Sequence, residues 1–156
     1  MQWILQLAFC LLAVSCTTIR PLETSTNLSS SPTLEPNGDA DVVFVHVAQT
    51  AADTYTFHVT VHHNDLGWDD YADGWDVVLP NGAVVQTGNN DSPFTRLLLH
   101  PHEAEQPVTR SQSGLLISAE ITQVTVRAHD LVHGFGGQEV VVDLTATSGQ
   151  NFTVEQ

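Results

Sequence analysis

The sequence has no lysine. Its only fixed positive charges are four arginines, at positions 20, 96, 110 and 127, set against 18 acids for a net charge of −14 over 156 residues. Such a chain repels phosphate backbones and anionic lipid surfaces, which excludes nucleic acid as a partner and favours solubility in a salty medium or attraction of cations. Cysteine is nearly as scarce: Cys10 and Cys16 stand close to the amino terminus and none follows. Beyond residue 16 there is therefore no disulfide and no thiolate, and any metal site or nucleophile must be built from imidazole, carboxylate or hydroxyl groups. Without a covalent staple the fold depends on apolar burial, at about 25 cal/mol per Å². Helical periodicity is absent too. The apolar run over residues 3–14 spans 12 residues, short of the roughly 20 that a membrane-crossing helix needs.

That run reads as the core of a signal peptide over residues 1–15, followed by the small residues Ser15 and Cys16. No Lys or Arg precedes it, so the amino terminus alone supplies positive charge. The segment Leu12-Ala13-Val14-Ser15-Cys16 resembles a bacterial lipobox. The resemblance implies that Cys16 becomes the lipidated first residue of the mature protein, which would sit in the cell envelope, periplasmic or at the surface, touching membrane only through acyl chains. Ordinary secretory cleavage nearby is the alternative. Residues 16–39 then form a linker rich in Thr, Ser, Pro and Asn that cannot bury enough apolar surface to order itself. Its stretch from 17 to 39 would reach roughly 25 Å as a flexible coil. Asn27, Asn90 and Asn151 lie in glycosylation-type triplets, which matter only in a eukaryotic source.

From residue 40 to 147 short β-branched runs alternate with period two between turn residues. Strands are expected over 41–47, 55–63, 75–79, 83–86, 95–100, 108–111, 122–129 and 139–144, with residues 148–156 as a tail. Tyr55, Phe57, Val59 and Val61 share one face of the second strand, and Pro80-Asn81-Gly82 reads as a type I′ hairpin. The fold class is all-β: a single antiparallel β-sandwich of about seven strands. The hairpin Val-Thr-Val-Arg-Ala-His-Asp to Val-Val-Val-Asp-Leu, together with a tryptophan at Trp75 on the third strand, resembles fibronectin type III and bacterial immunoglobulin-like modules. This implies a scaffold, not an activity. The segments His-Pro-His-Glu-Ala-Glu-Gln-Pro-Val-Thr-Arg-Ser (100–111), Gly-Trp-Asp-Asp-Tyr-Ala-Asp-Gly-Trp (67–75) and Val-Arg-Ala-His-Asp-Leu-Val-His-Gly-Phe-Gly-Gly (126–137) are similar to those of small exported bacterial proteins, a resemblance that lends no function.

Eight histidines, at 46, 58, 62, 63, 100, 102, 129 and 133, are many for such a domain. In a seven-strand sandwich the loops after the second, fourth and sixth strands share a pole. If residues 83–100 form one interrupted strand, His62, His63, His100, His102, His129 and His133 would converge there with Glu103, Glu105 and Asp130; if 94–100 is a separate strand, parity flips and His100 and His102 move to the opposite pole. The flanked proline of His100-Pro101-His102 holds its neighbours extended, so both rings project to one side. Imidazole with carboxylate suits Zn²⁺ or Cu²⁺. The competing reading makes these histidines solvated or capping loop residues. Asp65, Asp69, Asp70 and Asp73, in the loop after the second strand, offer oxygen ligands to Ca²⁺, though without EF-hand spacing. Against this stands a loop whose Trp68 and Tyr71 tuck under while its acids face water. Arg96, Arg110 and Arg127 are expected to pair with Glu103, Glu105, Asp130 or Asp143, or else to recognise an anion beside the histidines. Thr109, Ser111 and Ser113 supply hydroxyls without any nucleophile elbow to frame them. The leading expectation is an exported, lipid-anchored binding or structural module without catalytic residues, acting on a partner outside the cytoplasm. The alternative is a Zn- or Cu-binding protein or small metalloenzyme.

Overall fold

A computed structural model describes residues 38–88 and 92–156. The segments expected to be a signal peptide and a linker up to residue 37, with Cys16 and Asn27, and also Asn90, lie outside the described residues. Among those described there is no helix, and nine strands form two sheets. They are β1 (Asp41–Ala51), β2 (Thr54–His62), β3 (Ala72–Val78), β4 (Arg96–Leu97), β5 (Val108–Leu116), β6 (Gln123–Asp130), β7 (Val140–Asp143), β8 (Ser148–Gly149) and β9 (Phe152–Glu155). One sheet runs β5-β2-β1-β9-β8, the other β4-β3-β6-β7. Val59 and Phe57 from the first and Trp75, Val77 and Val126 from the second are sealed from solvent in a single core, which makes the molecule an all-β sandwich.

Alternation explains most of the inward set, and its interruptions explain the rest. In β6, Val124, Val126 and Ala128 are buried while Thr125, Arg127 and His129 are only partly covered. In β1 a register shift between Val42 and Phe44 reverses parity. Val42 is inward, Phe44 is turned out, and Val45 and Val47 are inward again. A bulge inserts one residue and flips every side chain beyond it, which is why His46 faces out.

The structure departs from the sequence reading at four places. The tail expected over 148–156 is part of the sheet: β9 pairs in parallel with β1 and buries Phe152 and Val154, so the sandwich is not purely antiparallel. Parallel pairing needs a long crossover that no local pattern announces. The strand expected at 83–86 is reduced to one bridge, Val84 to Val78, and that expected at 95–100 to Arg96–Leu97. Side chains take over the pairing: Thr95 Oγ1 accepts from Val77 N–H at 2.9 Å and donates to Val85 O at 2.6 Å, while Thr95 N–H donates to Asp76 Oδ1 at 3.1 Å. The turn at Pro80-Asn81-Gly82 is not type I′. Only Gly82 is left-handed, with φ +84°, and its N–H donates to Leu79 O at 2.8 Å. The weak strand expected at 108–111 continues to Leu116, carried by its pairing with β2.

Candidate functional site

His63 follows Tyr55, Phe57, Val59 and Val61 on the inward face of β2, so parity drives it under the end of the sandwich, where it is 1% exposed. Its Nδ1 lies 2.7 Å from Asp65 Oδ1 and its Nε2 lies 2.6 Å from Gly38 O. Both partners are acceptors, so each contact is a hydrogen bond when the ring nitrogen that makes it carries the hydrogen. Asp65 is equally buried and fully engaged, accepting Ala72 N–H at 3.2 Å and His102 N–H at 2.5 Å as well. One carboxylate thereby ties the loop after β2 to the start of β3 and to the loop after β4.

A second buried carboxylate, Asp130 at the end of β6, organises the other half of this pole. Its Oδ1 accepts the N–H groups of Val132 at 3.0 Å and His133 at 2.6 Å, shaping the turn after β6. Its Oδ2 accepts Ala40 N–H at 3.3 Å. His133 Nδ1 lies 3.2 Å from Asp130 Oδ1 and 3.1 Å from Gly38 O. Gly38 is left-handed (φ +69°), and a side chain there would strike the His133 ring, so only glycine lets the lead-in segment pass between the two imidazoles. Among the described residues, the donor atoms that gather within 4.8 Å are those of His63, Asp70 and Asp130, and of Asp39, Asp130 and His133.

The six histidines expected at one pole are thus divided. His63, His102 and His133 join this network, whereas His62, next to His63, takes the outer face of its sheet by alternation. His129 lies on the outer face of the other sheet, 2.6 Å from Asp73 Oδ1, with its ring against Phe94 and Phe135. His100 is exposed, and its ring lies 4.4 Å between centroids from that of buried His102, tilted by 36°. Burial, followed by the nearby positive charges of Arg110 and His100, holds the His102 imidazole below the usual histidine range, with Asp65 and Glu105 pulling the other way. Its Nδ1 is buried without a hydrogen-bond partner. The acids of the loop after β2 also scatter: Asp65 is internal, Asp69 exposed, Asp70 beside His63 and Asp73 with His129.

The arginines are structural where their partners are seen. Arg110 meets Glu105 at 3.0 Å, and hydrogen bonding from this guanidinium lowers the Glu105 carboxyl below its usual range. Arg127 instead pairs with Asp76 at 3.1 Å and lies 3.8 Å over the Phe135 ring. Arg96 has its Nε buried without a hydrogen-bond partner, and Glu103 is exposed beside Gly67. Asp143 accepts from the hydroxyl and N–H of Thr145, which lower its carboxyl. Among the hydroxyls, Ser111 Oγ lies 2.6 Å from His58 Nδ1 on the solvent side of the sheet, and His58 stacks on His46 at 5.2 Å.

Sequence reasoning missed Asp39, assigned to the linker, and the inward setting of His63. Continuing the β2 alternation by one step would have found the latter.

Apolar side chains crown this pole. Leu66 and Trp68, on the loop after β2, are 70% and 68% exposed, and Leu131 and Val132 after β6 are exposed too. The two loops are joined by Leu131 N–H donating to Tyr71 O at 3.2 Å.

No protein-family model matches the chain, and no solved structure matches it. The chain is 38% identical over 118 residues to a Halomicrobium mukohataei protein named "Putative lipoprotein", an alignment that takes in 76% of this chain and 53% of that protein. The chain therefore spans about half the length of the curated relative it matches.

Proposed function

We propose that this protein is an exported, lipid-anchored module without catalytic activity, whose β-sandwich presents the pole built on Asp65 and Asp130 to a protein partner outside the cytoplasm. The lipobox-like segment ending at Cys16 and the name of the Halomicrobium relative both support the anchor. Membership of the immunoglobulin or fibronectin type III class is supported by the sheet partition: β1, β2 and β5 lie on one side and β3, β6 and β7 on the other, as in those sandwiches, with Trp75 buried on the third strand. The binding role rests on the exposed set Leu66, Trp68, Leu131 and Val132. Apolar side chains on loops held rigid from beneath mark a recognition surface better than scattered ones do.

The test is fractionation and cross-linking of the full chain in an export-competent host. Wild type is expected in the membrane fraction, with an acyl adduct on Cys16 by mass spectrometry, and Cys16→Ser in the soluble fraction. A photoreactive residue at Trp68 should give a discrete adduct, while one at Asn81, at the far end of β3, should give none. Unchanged fractionation of Cys16→Ser would remove the anchor, and equal labelling from both positions would remove the pole.

A further inference from the structure

We infer that the pole carries a site for one divalent transition-metal ion of the zinc class, held by His63 Nε2, Asp70 and Asp130, with Asp39 and His133 in a second donor group that shares Asp130. This goes beyond the module reading and does not depend on the lipid anchor.

Three observations carry it. His63 is held by a buried carboxylate: Asp65 Oδ1 takes the Nδ1 hydrogen at 2.7 Å and turns Nε2 toward Asp70 and Asp130. This carboxylate–histidine arrangement is how proteins orient imidazole ligands and raise their basicity. The spacing fits as well. Donors placed 2.0 to 2.1 Å from a tetrahedral ion stand roughly 3.3 Å apart. His63 Nε2 and Asp70 Oδ1 are 3.6 Å apart, and Asp130 offers a donor atom within 4.8 Å of both residues' donors. Finally, Asp70 Oδ1 is buried with no hydrogen-bond partner while it faces His63. At 3.6 Å from His63 Nε2 that oxygen is beyond hydrogen-bond reach, and a cation between the two groups would bond both.

The charge balance points the same way. Asp39, Asp65, Asp70 and Asp130 meet here, while Arg110 and Arg127 are engaged with Glu105 and Asp76. Binding takes the Nε2 lone pair, so any hydrogen on Nε2 leaves to solvent as a proton, while the contact of Nδ1 with Asp65 is kept. Gly38 O, 2.6 Å from Nε2, immediately precedes Asp39 and gives up this contact in the exchange. Imidazole among the donors selects a borderline transition ion over Ca²⁺.

The test is isothermal titration of the full chain, solubilised in detergent, with Zn²⁺, backed by the visible spectrum of the Co²⁺ form. Wild type is expected to take up one equivalent, with a rise in melting temperature that Ca²⁺ does not reproduce. Asp70→Asn, which keeps the side-chain shape and removes the charge, should weaken uptake by at least ~10-fold and abolish the thermal shift. The triple variant His62→Ala, His100→Ala, His129→Ala should bind like wild type. Absence of saturable uptake in a folded wild type, Asp70→Asn affinity within about twofold of it, or loss of binding in the triple variant would each overturn the site.

Discussion

At the residue scale, the pole is built from histidines and acids whose roles follow from burial rather than from sequence spacing. His-x-His at 100 and 102 is the pattern that draws the eye, yet its members differ most in environment: one is exposed, the other 4% exposed. The pH dependence of stability should expose this difference. The folded state holds the His102 imidazole below its usual range, chiefly through burial and then through Arg110 and His100. Unfolding below about pH 6.5 therefore takes up a proton, and stability falls as pH falls through the depressed folded value. Above pH 7 this group contributes no slope. In urea denaturation at pH 8, 7, 6 and 5, His102→Gln should keep a constant offset from wild type at the upper values, then gain on it at the lower ones. An offset independent of pH would show that this ring carries no such linkage. The candidate ligands were legible by residue type, since without cysteine after residue 16 imidazole and carboxylate are the groups left that suit such an ion. Their grouping was not, because whether His62 or His63 points inward turns on one step of parity, and Asp39 reaches the site from what reads as linker.

At the element scale, the strands with long alternating runs, β2 and β6, were readable within about a residue, because each has β-branched residues on one face and polar ones on the other. Those that failed lack such a signature. β4 is two residues long and its neighbourhood is held by Thr95 and Asp76 side chains, while β9 has the composition of a tail: Asn-Phe-Thr-Val-Glu-Gln. Its importance lies in position, since it covers the edge of β1 from Val45 to Ala48. Removing it would uncover backbone donors and acceptors that template pairing with other chains. Phe152→Ala is expected to cost about 3 kcal/mol, at the low end for a buried phenylalanine because the site is peripheral. Deletion of residues 150–156 should go further and produce dimers or larger species by size exclusion. A truncated chain that stays monomeric with a wild-type urea midpoint would show that β9 is not a working part of the sheet.

At the scale of the whole molecule, the absence of lysine becomes an energetic fact. Of the seven ion pairs among the described residues, five use histidine as the positive partner and two use arginine. Most of the compensation for a net charge of −14 is therefore conditional on imidazoles being protonated, and at neutral pH and above the acids largely repel one another. Folding concentrates these charges, so repulsion is greater in the compact state than in the open chain, and salt should stabilise the fold by screening it. The Debye length falls from about 30 Å at 0.01 M to about 8 Å at 0.15 M and 3 Å at 1 M. Long-range repulsion across the domain is thus mostly removed in the first of these steps. In NaCl at pH 8 the melting temperature should rise by roughly 4 °C or more, which corresponds to about 1 kcal/mol for a domain near this size, with the larger part of the rise complete by 0.2 M. Early saturation is the diagnostic feature, since stabilisation through exclusion of salt from the surface keeps growing toward molar concentrations. A flat or falling curve below 0.2 M would show that the acids are spaced widely enough not to strain the fold. The pale compensation by histidine would then have no thermodynamic consequence at this pH.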